Sequence, residues 1–123
     1  MSEELAKLPP QVQERLLRFQ QLQQTLQSVL AQKQQVEIEL TEVEQALAEL
    51  QKTSDEAVIY KAVGSLLVKT EKARVTVDLN ERKELLNMRA SVLGKQEERL
   101  RSQMKELQAK LQQDLAPISG SQP

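Results

Sequence analysis

The chain has 123 residues and a formal net charge of −1, with 17 basic and 18 acidic side chains interspersed along both halves. That length suits one domain, and the even charge excludes a basic footprint for nucleic acid or a polybasic patch for an anionic membrane. Aromatics are 2% of residues, Phe19 and Tyr60 alone, while Gln, Glu, Leu, Lys and Ala dominate, so burial must run along a narrow helical seam and the fold is elongated.

The first element follows a short arm over residues 1–9. Pro10 suits the first position of a helix, where a missing N–H costs nothing, and no Pro or Gly interrupts the chain from there to about Thr53. Val12, Phe19, Leu26, Lys33, Leu40 and Leu47 recur every seven residues. Leu22, Val29, Val36, Val43 and Leu50 repeat on the same period. Two interleaved rows of this kind make a coiled-coil seam, and they predict a helix over about 10–53. Lys33 is the one charge on that seam, either fixing register or carrying its ammonium out to water on an apolar stem.

Between about 57 and 71 the period changes. Val58, Ile59, Tyr60 and Val63 precede Gly64-Ser65, and Leu66, Leu67 and Val68 follow. Two β-rich runs around Gly-Ser predict a hairpin with a two-residue turn.

A second helix is expected over about 76–116. Asp78 and Glu81 have the spacing of a capping box near its start, although the start can also lie a few residues earlier. Leu79, Leu86, Leu93, Leu100 and Leu107 step by seven, joined by Ala90, Met104 and Leu111, with Lys83 and Glu97 as polar breaks. Gly94 reads as a bend or as a tolerated surface position. Pro117 should end the helix at Ala116, leaving a flexible tail over 117–123. The fold class is therefore mainly α: two long helices in an antiparallel coiled coil joined by one β-hairpin, forming a single domain over 1–123. Folding about Gly64-Ser65 sets Phe19 level with Leu111 and Val12 level with Ile118.

A lone hairpin is marginal in water, and its open edges recruit other strands. Ile59, Val63, Leu66 and Val68 share one face, and Val58, Tyr60, Ala62 and Leu67 the other. Both are largely apolar, and the chain's own helices cannot cover both. Val58, Ile59, Tyr60, Val63, Gly64, Leu66, Leu67 and Val68 are therefore the expected subunit interface. The plainer alternative is a hairpin that only caps the coiled coil.

The run Val58-Ile59-Tyr60-Lys61-Ala62-Val63-Gly64-Ser65-Leu66-Leu67-Val68-Lys69 resembles the hairpin of prefoldin beta subunits, of archaeal type. Glu84-Leu85-Leu86-Asn87-Met88-Arg89 and Gln96-Glu97-Glu98-Arg99-Leu100 are similar to the family's second helix, and Pro10-Gln11-Val12-Gln13 with Phe19-Gln20-Gln21-Leu22-Gln23 to the start of its first. The resemblance covers roughly residues 9–115. It implies a subunit of an ATP-independent holdase, a hexamer of two alpha-class and four beta-class subunits. In such a complex the hairpins form a barrel body, and the coiled-coil tips hold unfolded polypeptides and deliver them to a group II chaperonin. The partners implied are thus a prefoldin alpha subunit, further beta subunits, unfolded proteins and the chaperonin, with no nucleic acid and no membrane.

Apolar residues at the open end exceed what the seam requires. Leu5, Leu8, Val12, Leu16, Leu17, Phe19, Leu111, Leu115 and Ile118 are accordingly the candidate client-binding surface, with extension of the seam as the plainer reading. Histidine and cysteine are absent, which removes the usual general base, the thiol nucleophile and the common metal ligands. Gly64, Gly94 and Gly120 lie too far apart for a phosphate loop. Neither catalysis nor a cofactor is expected. The acidic N-terminus lacks a signal-peptide core, and the expected location is the cytoplasm. A structural coiled-coil tether and a helical arm for nucleic acid are the rival readings. The hairpin counts against the first and the near-zero charge against the second.

Overall fold

In a computed structural model of the chain, residues 6–119 are described, with side chains through Ala116. The element order is α1 (Pro10–Lys52), β1 (Ile59–Val63), β2 (Leu66–Thr70) and α2 (Lys72–Ser119). The two long helices pack together with an antiparallel hairpin between them, the architecture read from the heptads. The chain divides into two compact units, one joining the segment up to Gln32 with that from Leu93 onward, the other spanning Lys33–Val92.

The start of α1 is set locally. Pro10 occupies its first turn, and the Pro9 carbonyl accepts from the N–H groups of Val12 (3.0 Å) and Gln13 (3.1 Å). The Gln13 amide reaches back to donate to the Leu8 carbonyl at 2.7 Å and the Ala6 carbonyl at 3.2 Å, so polar groups of the preceding arm are satisfied before the helix begins. Thr25 and Thr41, poor helix formers, bond their hydroxyls to the carbonyls of Gln21 and Glu37 one turn back.

In the first unit the buried side chains are Val12, Leu22, Leu26 and Val29 of α1 with Leu93 and Leu111 of α2. Arg15 and Asp114 form an ion pair there, each only about a quarter exposed. That pairing is within one residue of the expected register, Arg15 lying one turn before Phe19 and Asp114 three residues after Leu111, whereas the Arg82–Glu39 pair of the second unit is nine residues off it. In the second unit Val36, Val43, Leu50 and Leu86 are buried, Val36 completely, and Arg82 bonds to Glu39 at 3.1 Å. Every expected seam residue is buried or half-buried. Lys33, Lys83 and Glu97 are half-buried as well.

Two boundaries differ from the sequence expectation. The second helix starts at Lys72, and Asp78 and Glu81 lie inside it, not at its cap. The first intrahelical bond runs from the Val75 N–H to the Glu71 carbonyl, at 3.0 Å. The Val75-Thr76-Val77 run has strand-like propensity, yet Thr76 bonds its hydroxyl to the Lys72 carbonyl at 2.8 Å and joins the helix. Lys72 itself is held from outside the helix, by contacts described below. At the other end the helical backbone passes Pro117 and reaches Ser119. A proline near a helix end removes only its own N–H bond, and the exposed Gln113 can turn the released carbonyl to water. The remainder of the expected tail lies outside the described residues.

Candidate functional site

Two groups of residues carry the functional expectations, one in each unit. In the second unit the hairpin pairs Ile59 with Thr70, Tyr60 with Lys69, Lys61 with Val68, Ala62 with Leu67 and Val63 with Leu66. Gly64 has a φ of 59°, and among the described residues no residue other than glycine has a positive φ, so Gly64-Ser65 is a type II′ turn, whose twist matches that of the strands. This register puts Ile59, Lys61, Val63, Leu66, Val68 and Thr70 on one face, and Tyr60, Ala62, Leu67 and Lys69 on the other.

Neither face is fully covered by the described residues. Val58 and Tyr60 are each 59% exposed, Leu66 66% and Leu67 71%, and Val63 and Val68 about half. Among the interface residues expected from sequence, only Ile59 is half-buried. Single exposed apolar residues are ordinary on any protein, but a contiguous apolar patch marks a binding surface. The hairpin presents two such faces and two open edges.

The hairpin is also tied at its base. Lys72 donates to the Thr53 carbonyl at 2.8 Å and pairs with Asp55 at 3.1 Å. Thr53 closes the end of α1 through its own N–H to Leu50 (3.1 Å) and its hydroxyl to Glu49 (2.8 Å). A cation at the carbonyl end of α1 also complements that helix's dipole. Sequence reading missed Lys72, because its partners are distant in the chain and no local motif marks them.

The second group surrounds the start of α1 and the end of α2. Leu8, Leu16, Phe19 and Leu115 are half-buried, and Leu17 is half-exposed. Leu17 joins Gln11, Glu14, Arg18, Gln21 and Leu107 around a shallow concavity. Val12 and Leu111, placed by the sequence both on the seam and in this surface, lie on the seam at 4% and 7% exposure, as their heptad positions require. Leu5 and the Ile118 side chain lie outside the described residues. Among the described residues no group of carboxylates could hold a metal ion, and no helix is long and apolar enough to cross a membrane.

Comparison with known proteins places this geometry. A family model described as prefoldin subunit matches residues 13–117. The prefoldin subunit beta of Archaeoglobus fulgidus is 50% identical over 116 residues, covering 94% of this chain and 100% of that protein. The prefoldin subunit beta of Thermococcus onnurineus is 45% identical over the same shares. The crystal structure of the prefoldin beta subunit from Thermococcus strain KS-1 superposes with a TM-score of 0.82 at 45% identity, covering 89% of this chain and 96% of that one.

Proposed function

The chain belongs to the prefoldin family as a beta-class subunit, a family of chaperone proteins without enzymatic activity, and from that premise we propose that it works as one subunit of a hexameric, ATP-independent holdase in the cytoplasm. The observation that carries the assembly part is the hairpin, a β-element with both faces and both edges open. Its natural completion is a sheet or barrel built with the hairpins of an alpha-class prefoldin subunit and further beta subunits. Burying each exposed Leu or Val there is worth about 1.5–3 kcal/mol, enough in sum to hold a complex together.

Client binding belongs to Leu5, Leu8, Leu16, Leu17, Phe19, Leu115 and Ile118, with Val12 and Leu111 on the seam beneath the described members of the group. Several weak apolar contacts on side chains that can re-pack hold an unfolded polypeptide without sequence preference. No step in this mechanism requires a nucleotide or metal. The held polypeptide is then passed to a group II chaperonin.

The test is aggregation of a chemically denatured client, with the chain alone and with a co-expressed alpha-class subunit, in the absence of nucleotide. Light scattering sizes the complexes alongside. Suppression that appears or strengthens in a mixed complex of six chains is the expected result. A well-assembled complex that leaves aggregation untouched overturns the holdase and leaves a structural tether.

A further inference from the structure

Besides its seam, the hairpin-bearing unit carries a second apolar row. On α2, Val77 (56% exposed), Leu85 (57%), Met88 (62%) and Val92 (56%) are open to solvent. With Glu81 they step by fours and threes and so form one stripe along the helix. Met88 lies about 200° around the helix from the buried Leu86, so the stripe faces away from the seam. The seam of α1 leaves no comparable surface: on the outer face of its part in this unit, Ile38 stands alone among Gln34, Thr41, Glu42 and Gln45.

The stripe has a sharp limit. Past Val92 the positions that continue the same spacing are Lys95, Arg99, Ser102, Glu106 and Lys110, all exposed and none apolar. The apolar part is confined to the length of α2 nearest the hairpin. Its first residue, Val77, lies one turn past a charged position that borders the hairpin. Lys61, Val63 and Val68 share a concavity with Arg74 and Asp78 of α2, and Arg74 sits at the head of the stripe. A client polypeptide held elsewhere would not call for a three-and-four row stopping at that point. A neighbour brought into place by hairpin pairing would.

We infer that the Val77-Leu85-Met88-Val92 stripe is a second subunit interface, occupied in the assembled complex by a helix of the neighbouring prefoldin subunit. This rests on the assembly reading above and extends it: the hairpin supplies the sheet, and the stripe fixes how the helices leave it. Leu85 and Met88 sit at the centre and are the residues that set the angle between neighbours.

The test uses the complex co-purified with an alpha-class subunit, with Met88 replaced by the photo-crosslinker p-benzoylphenylalanine and, as control, Ile38 replaced likewise. Irradiation without client should link position 88, and not position 38, to a helical peptide of another subunit. In parallel, Leu85→Glu combined with Met88→Glu should weaken the complex by about ten-fold or more, whereas Ile38→Glu should leave it within about two-fold. Circular dichroism of the isolated double variant checks that the helix persists; if helicity falls, the crosslink alone decides. An intact complex with no subunit crosslink at position 88, or with crosslinks only to added client, overturns the second interface and leaves hairpin assembly standing. Failure of the unmodified chain to assemble overturns both.

Discussion

The ammonium of Lys72, in the first turn of the second helix, donates to the carbonyl of Thr53, just past the end of the first, at 2.8 Å. It thus ties together the two chain ends between which the hairpin is mounted, and pairs with Asp55 at 3.1 Å. The Lys72 side chain is only about a fifth exposed, so its bond to the Thr53 carbonyl is partly shielded, whereas Asp55 is open to solvent. Lys72→Met should destabilise the isolated chain by about 1–2 kcal/mol, as expected for losing a charge-assisted hydrogen bond. Hydrogen exchange should also quicken at Thr53–Ala57, while exchange in the Arg15–Asp114 region stays unchanged. Urea unfolding and exchange mass spectrometry read both.

Leu85 and Leu86 are neighbours with opposite environments. Leu86 is 2% exposed and Leu85 57%. In the isolated chain Leu86→Ala should cost about 2–4 kcal/mol through lost burial and a residual cavity. Leu85→Ala should change stability by less than about 0.5 kcal/mol. Urea midpoints of the two variants separate them, and equal losses would contradict the seam described here.

The two described glycines should respond to alanine with opposite signs. A Cβ at either position meets nothing within 4 Å, so packing does not decide. Gly64 has a φ of 59° in the turn, where a Cβ costs about 1–2 kcal/mol, and Gly64→Ala should destabilise the hairpin. Gly94 lies within α2, and Gly94→Ala should raise stability by about 1 kcal/mol through helix propensity. Thermal denaturation of the pair is the check.

Leu67, at 71% the most exposed of the hairpin's large apolar residues, touches little within its own chain. Leu67→Lys should leave the isolated chain's helicity and melting temperature unchanged and lower the mass of the mixed complex measured by light scattering.

Replacing Leu5, Leu8, Leu16, Leu17 and Leu115 with Ser should leave assembly intact and weaken suppression of client aggregation. Leu17→Ser alone should show part of the effect at no cost in stability, because Leu17 is half-exposed. Val12→Ser, by contrast, should lower stability, because Val12 is part of the closed seam. Unchanged suppression by the five-fold variant would remove these residues from the client surface.

Much of this protein is determined by sequence alone, because its dominant signals are periodic and local. A seven-residue repeat without Pro or Gly leaves a helix few alternatives, so α1 begins at Pro10 as read, and the seam rows match the buried and half-buried positions. Gly-Ser between two β-rich runs likewise determines the hairpin and its register, since only glycine takes the positive φ of the turn without strain. Tertiary structure decided the rest. The start of α2 coincides with Lys72 reaching Thr53 and Asp55, partners 19 and 17 residues back that no local motif reveals, and Val75-Thr76-Val77 is helical despite its β-propensity. The exposure of Val77, Leu85, Met88 and Val92 depends on which side of α2 meets α1. A heptad shows that a face is apolar, but only the packed pair shows which apolar face is already used and which is left for a partner.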